Sequence, residues 1–150
     1  KYIKYSWRDR GSDERQYCAP GVDLPVATIC RTKYGEYPEY HTSLDDLDNV
    51  VTAVGLQGSY SLFQKVLNAI ESNEYYKCNT FCEPQMGKRN LYPAISTKDA
   101  KLTVALMMDV ISYCDGTYSL LDIAETLSVP IWSLYSLIEI LREKRLISKL

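Results

Sequence analysis

The last third of the chain carries three apolar stripes with helical spacing, and no other feature constrains the fold as strongly. The segment DAKLTVALMMDVISYC (99–114) places one stripe on a helix, at Leu102, Ala105, Leu106 and Val110. The turn DGTY separates it from a short second helix over 119–127. Pro130 suits the first turn of a third helix, after which REKRLISKL leads into a short strand. Three helices with a tight turn between the last two predict a winged helix-turn-helix domain over 97–150.

The first 73 residues combine one strand-like and one helical segment. Residues 26–29 are mostly β-branched and follow Gly21 and Pro25, which predicts a short buried strand. From Ala53 to Ser72 apolar residues recur at helical spacing, and Thr52 is a suitable N-cap. This mixture predicts an α/β part over 1–73.

The segment between these two parts has little periodicity. Residues 74–96 contain Pro84, Gly87 and Pro93, so we expect an ordered loop or linker there.

The overall composition is that of a soluble globular protein, with 46% apolar and 24% charged residues. No apolar run approaches the roughly 18–20 residues that span a bilayer, so we expect no membrane partner. Five scattered cysteines favour reduced thiols and a cytoplasmic location. The chain starts without Met and shows no signal peptide, which leads us to expect a fragment of a longer protein.

The charge of the predicted winged helix argues against nucleic acid as a partner. Residues 97–150 hold six Lys and Arg against seven Asp and Glu, a net charge of −1. DNA affinity depends on phosphate neutralisation, yet the candidate recognition helix begins PIWSLYS, without a base. Ile131, Trp132 and Tyr135 fit a packing surface better, against another domain or a second subunit in a homo-oligomer.

Two stretches of the first part resemble the C-terminal region of the two-zinc aminopeptidase family. These are GSDERQYCAPGVDLPVATI and, further on, YPEYHTSLDD. More narrowly, SDERQY, HTSLDDLDNV and EPQMGKRNLYP occur in the order seen in a bacterial aminopeptidase-like subgroup. That subgroup is often associated with polysaccharide biosynthesis and has a C-terminal winged helix. The resemblance implies the last part of a zinc-peptidase α/β sandwich followed by that domain.

The resemblance also implies roles for individual residues. In the family, the histidine of the Tyr-His-Thr turn is a zinc ligand, and the residue that matches it is His41. In some members the preceding tyrosine faces the substrate carbonyl, which corresponds to Tyr40. The other ligands and the Glu base of the family precede residue 1. A lone loop histidine is also typical of an ordinary surface turn. We therefore expect zinc in the full-length parent and little or none on this chain.

Four charged residues are candidates for substrate binding: Asp13, Glu14, Lys88 and Arg89. The two acids can line a cleft, or can belong to a surface charge run with neighbouring arginines. Glu14 stands where many members of the family have His. Lys88 and Arg89 can bind a substrate carboxylate or phosphate, or lie in a solvated loop.

The sequence thus predicts the C-terminal part of a zinc aminopeptidase-like hydrolase, which cleaves N-terminal peptide or amide bonds in the full-length parent. The winged helix would serve protein–protein contacts, including those with the rest of the peptidase domain. A non-catalytic interaction or regulatory module is the alternative, and a DNA-binding regulator is disfavoured by charge.

Overall fold

A computed structural model describes residues 2–91 and 98–150, without the side chains of 98–102. Its contacts divide the chain into two compact units, Lys1–Ser61 and Leu62–Leu150. The end of the predicted linker, residues 92–96 with Pro93, lies outside the described residues. The same holds for the predicted domain start at 97 and for the Leu102 side chain.

The first unit consists mainly of turns and irregular chain. A 3-10 turn at Trp7–Asp9 is capped by Ser6. Helix α1, Glu14–Tyr17, is a single turn. Helix α2 then begins at Ala53 and continues to Glu71, into the second unit.

The buried strand predicted over 26–29 is not formed. These residues have no regular secondary structure and are exposed, and Val22 and Leu24 before them are exposed as well. A strand requires hydrogen bonds to a neighbouring strand, and none of the strands in 2–91 and 98–150 pairs with this segment. A β-branched sequence alone is therefore insufficient to form a strand here.

The helix predicted over Ala53–Ser72 is confirmed as α2, Ala53–Glu71. Its start is stabilised by Thr52, whose hydroxyl oxygen accepts the Gly55 N–H at 3.0 Å. A Cβ at Gly58 would lie 2.9 Å from a guanidinium nitrogen of Arg31, so this glycine leaves room for that side chain.

The second unit combines helices with a three-stranded antiparallel sheet. In chain order the elements after α2 are β1 (Tyr75–Cys78), α3 (Lys98–Tyr113), β2 (Asp115–Ser119), α4 (Leu120–Thr126), α5 (Tyr135–Glu143) and β3 (Ile147–Lys149). Strand β1 lies in the centre, between β2 and β3. The three predicted helices and the terminal strand are confirmed. Helices with a small antiparallel sheet give the mixed α/β and winged-helix character that the sequence predicts.

Two predictions in this unit are wrong. The loop predicted over 74–96 contains the central strand β1, and the turn predicted at DGTY is strand β2. Gly116 explains the turn-like sequence, because its φ of +93° and a shift in strand register mark a bulge inside β2. A Cβ at Gly116 would also lie 2.9 Å from Leu150.

One hydrophobic core holds the second unit together. Helices α3, α4 and α5 and the positions just before α5 and β3 contribute fully buried apolar side chains: Val110, Leu120, Ile123, Leu134, Leu141 and Leu146. Met86 and Tyr76 extend this core towards β1.

The helix ends are defined by local hydrogen bonds. Ser119 caps α4 and forms a capping box with Asp122, whose carboxylate accepts the Ser119 hydroxyl at 2.6 Å. Pro130 precedes a 3-10 turn, Ile131–Ser133, that leads into α5. No helix in the described ranges is long and apolar enough to cross a membrane.

Candidate functional site

The predicted zinc ligand His41 lies at an exposed turn of the first unit. Its backbone is left-handed, with φ of 59°, a conformation that histidine adopts more readily than most residues. Its imidazole stacks on the ring of Tyr40, with centroids 4.0 Å apart and planes inclined by 16°. The described residues form no hydrogen bond with either ring nitrogen. The turn therefore restrains the imidazole by stacking in a residue that is exposed.

Tyr40 belongs to a small aromatic cluster. Its centroid lies 5.6 Å from that of Tyr37 in an edge-on arrangement and 6.4 Å from that of Tyr34. The Tyr37 hydroxyl donates to Asp45 at 3.1 Å. Lys33 places its ammonium 4.8 Å from the Tyr34 centroid, a cation–π contact. Tyr40 is thus packed between other rings.

Glu14 accepts hydrogen bonds from three parts of the first unit. Its Oε1 accepts the Gly11 N–H and the Tyr34 hydroxyl, both at 2.9 Å, and its Oε2 accepts the Thr28 hydroxyl at 2.9 Å. The backbone bond from Gly11 is the largest cause of a pKa lowered to about 2. Glu14 is therefore ionised near neutral pH, with both oxygens engaged inside the unit.

The other acids near this site are differently placed. Asp13 is exposed and does not cap α1 with its side chain. Asp46 accepts bonds from the backbone of Asp48 and from Asn49, which lowers its pKa and makes it part of its own turn.

The basic candidates lie in the second unit, on a 3-10 turn at Gly87–Arg89. Lys88 is exposed. Arg89 is half-buried and donates to the Gln85 carbonyl oxygen at 3.1 Å. The structure thus links Glu14 to Tyr40 and His41 through Tyr34 in the first unit and places Lys88 and Arg89 in the second.

The described residues do not by themselves complete a zinc site. A catalytic zinc takes about three protein ligands and keeps one position open. Among the side chains that the structure describes, those of 2–91 and 103–150, no three of His, Cys, Asp or Glu gather closely enough to hold a metal. His41 can provide one nitrogen ligand, and no reaction step through zinc follows from this chain alone.

The surface of the winged helix is mixed in charge. A shallow depression of about 760 Å³ beside α5 and β3 is lined by charges of both signs, including Glu139, Arg142, Glu143, Arg145 and Lys149. Lys149 also pairs with Glu74 at 2.6 Å. Before α5, Trp132 is 52% exposed and carries the Lys65 ammonium 5.0 Å from its ring centroid.

Sequence reasoning missed three residues that build the site: Gly11, Thr28 and Tyr34. Gly11 and Glu14 have the spacing of a helix-capping pair, which was a usable signal. The contacts of Tyr34 and Thr28 with Glu14 span 20 and 14 residues, and nothing in the local sequence indicates them.

Comparison with known proteins supports a two-part organisation. Residues 1–73 match a domain of unknown function (DUF4910), and residues 74–149 match the winged helix-turn-helix family. The chain is 43% identical over 116 residues, 76% of its length, to a Clostridium acetobutylicum protein. That protein is provisionally named a polysaccharide biosynthesis protein with an aminopeptidase-like domain.

A solved structure is also similar to this chain. The crystal structure of a protein from Clostridium acetobutylicum, provisionally named a peptidase, matches 95% of this chain at 34% identity with a TM-score of 0.80. The chain spans only 26% of the first relative and 31% of the second. It is therefore similar to part of an aminopeptidase-like protein. Since the winged helix-turn-helix match covers about half of its residues, the chain belongs to that family over 74–149.

Proposed function

We propose that this chain is part of a zinc-dependent aminopeptidase-like hydrolase and that His41 is one of its zinc ligands. The reaction is hydrolysis of an N-terminal peptide or amide bond, in which zinc supplies an activated water and polarises the carbonyl. The observation that carries the proposal is the His41 turn, where the ring stacks on Tyr40 with centroids 4.0 Å apart and the residue is exposed. The peptidase names of the two relatives agree with it.

The remaining ligands and the base belong to parts of the protein beyond these 150 residues. The short share of both relatives that the chain spans, 26% and 31%, supports this proposal. Within the chain, Tyr40 faces the substrate carbonyl. Asp13, Lys88 and Arg89 are candidates for substrate binding, while the engaged carboxylate of Glu14 argues for another role.

An exposed apolar stripe on α2 supports packing against the rest of a peptidase domain. Leu56, Phe63, Leu67 and Ile70 recur at helical spacing along one side, and all four are exposed. On a different side of the helix, Ala69 packs against the core of the second unit. We propose that the stripe and the exposed 22–29 segment complete the α/β sandwich in the full protein.

The winged helix serves protein contacts in this proposal, with that domain or with a second copy. Exposed Trp132 beside Lys65 is the observation that favours this use. It equally supports the second candidate function, a non-catalytic interaction or regulatory module.

The test uses the full-length protein that contains this sequence. We expect zinc-dependent release of N-terminal residues from short peptides, and we expect His41→Ala to abolish it. A fall of at least about 100-fold in kcat/KM is the scale for loss of a group that acts on the transition state, about 2.7 kcal/mol.

Glu125→Gln is a suitable control, because this residue is exposed on α4. Unchanged turnover in His41→Ala would sink the ligand proposal. A full-length protein that binds zinc nowhere and cleaves no peptide would favour the interaction module.

A further inference from the structure

We propose that Glu14 is a positioning residue that, through Tyr34, holds the Tyr40–His41 stack in place. The inference deepens the proposed function, since its value for catalysis rests on His41 being a zinc ligand. It assigns Glu14 a role different from the substrate binding predicted from the sequence.

Three hydrogen-bond donors converge on the carboxylate of Glu14. An ionised carboxylate only accepts hydrogen bonds, and Glu14 receives three, from a backbone N–H and two hydroxyls, all at 2.9 Å. These bonds tie the start of α1 to the Thr28 segment and to Tyr34. With both oxygens engaged, Glu14 is poorly placed to bind a substrate as well.

The Tyr34 side chain is held in a fixed position by its packing and its hydroxyl contacts. The ring lies against the backbone of Gly11, so closely that a Cβ there would be 2.6 Å from ring atoms Cε2 and Cζ. The Tyr34 hydroxyl lies 2.9 Å from Glu14 and 3.3 Å from the Asp9 carbonyl oxygen. Tyr34 is thus held at the hydroxyl end of its ring, by packing against Gly11 and by these two contacts.

Ring contacts connect Tyr34 with His41 through Tyr40. The centroid of Tyr34 is 6.4 Å from that of Tyr40, and Tyr40 stacks on His41 at 4.0 Å. His41 itself has no hydrogen bond to a described side chain that could orient its ring. The orientation of the imidazole therefore depends on Tyr40, which packs against Tyr34, held by Glu14, and against Tyr37, held by Asp45.

The only histidine of the chain offers a direct measurement by proton NMR. In the unaltered chain the Tyr40 ring current should shift the Hδ2 and Hε1 signals of His41 upfield of those of free histidine. At the same fixed pH, Glu14→Ala should move both signals towards the free-histidine positions. Gly11→Ala, which displaces Tyr34 directly, should do the same, and Tyr34→Phe should do so in part.

Asp13→Ala is the matched control, because it removes the neighbouring exposed carboxylate. The Hδ2 and Hε1 signals of His41 should not move in this variant. The inference is refuted if the His41 signals do not move in Glu14→Ala while the chain keeps its helical circular dichroism. If Glu14→Ala does not fold, Tyr34→Phe decides, since it removes one hydroxyl only, and unmoved signals there refute the inference. Absence of zinc or hydrolysis in the full-length protein would instead refute the proposed function and leave these shifts unchanged.

Discussion

The substitution Leu141→Ala tests the winged-helix core against a neighbour in the same helix. Leu141 is completely buried in α5, whereas Ile140 is 39% exposed. Truncating a fully buried leucine removes transfer free energy and leaves a cavity, which together cost about 2–5 kcal/mol. Truncating Ile140 should cost no more than about 1 kcal/mol, because its side chain already contacts solvent and little cavity can form.

Urea unfolding followed by Trp132 fluorescence measures both values, in a Trp7→Phe background so that the second unit alone is observed. We expect the midpoint of Leu141→Ala to fall well below that of Ile140→Ala, at similar m-values. Equal losses for the two variants would refute the packing of α5 described above.

Three further predictions concern the α4 cap, the pH dependence of stability and DNA binding. Ser119→Ala should lower the free energy of unfolding of the second unit by about 1 kcal/mol through loss of the α4 cap, measured by the same urea titration; an unchanged midpoint would contradict the capping box. Glu14 has a folded pKa of about 2 against 4.5 for the free group, so its contribution to stability is complete above pH 4.5 and lost as the pH falls towards 2. The midpoint of thermal unfolding should accordingly change less over that pH interval in Glu14→Gln than in the unaltered chain. An equal change in both would contradict the lowered pKa of Glu14. The chain should show no salt-sensitive binding to duplex DNA in fluorescence anisotropy, and tight binding that weakens steeply with salt would overturn the assignment of the winged helix to protein contacts.

Helices were predicted well where local sequence decides them. Helix α2 ends within one residue of its prediction, because its apolar spacing and the Thr52 cap are both local signals. The helices of the winged helix follow for the same reason, and Pro130 indicated where the last one could begin.

The terminal strand was predicted, but β1 and β2 were missed, because strand formation depends on distant partners. Tyr75–Cys78 is only four residues long and forms the sheet centre through contacts with β2 and β3, which lie about 40 and 70 residues further along the chain. Conversely, residues 26–29 have a strand-like composition and no pairing within the described ranges.

The candidate site shows the same division. A motif of adjacent residues is enough to propose His41 and Tyr40, and their roles stay predictions. The role of Glu14 could not be proposed from such a motif, since it arises from contacts with Thr28 and Tyr34 that only the folded chain creates.

The most direct test of the central claim is the zinc content of the full-length protein and of its His41→Ala variant, measured by elemental analysis after dialysis. We expect one or two zinc ions per unaltered chain and a clear loss in the variant. Equal zinc in both proteins, or none in either, would contradict the assignment of His41 as a ligand.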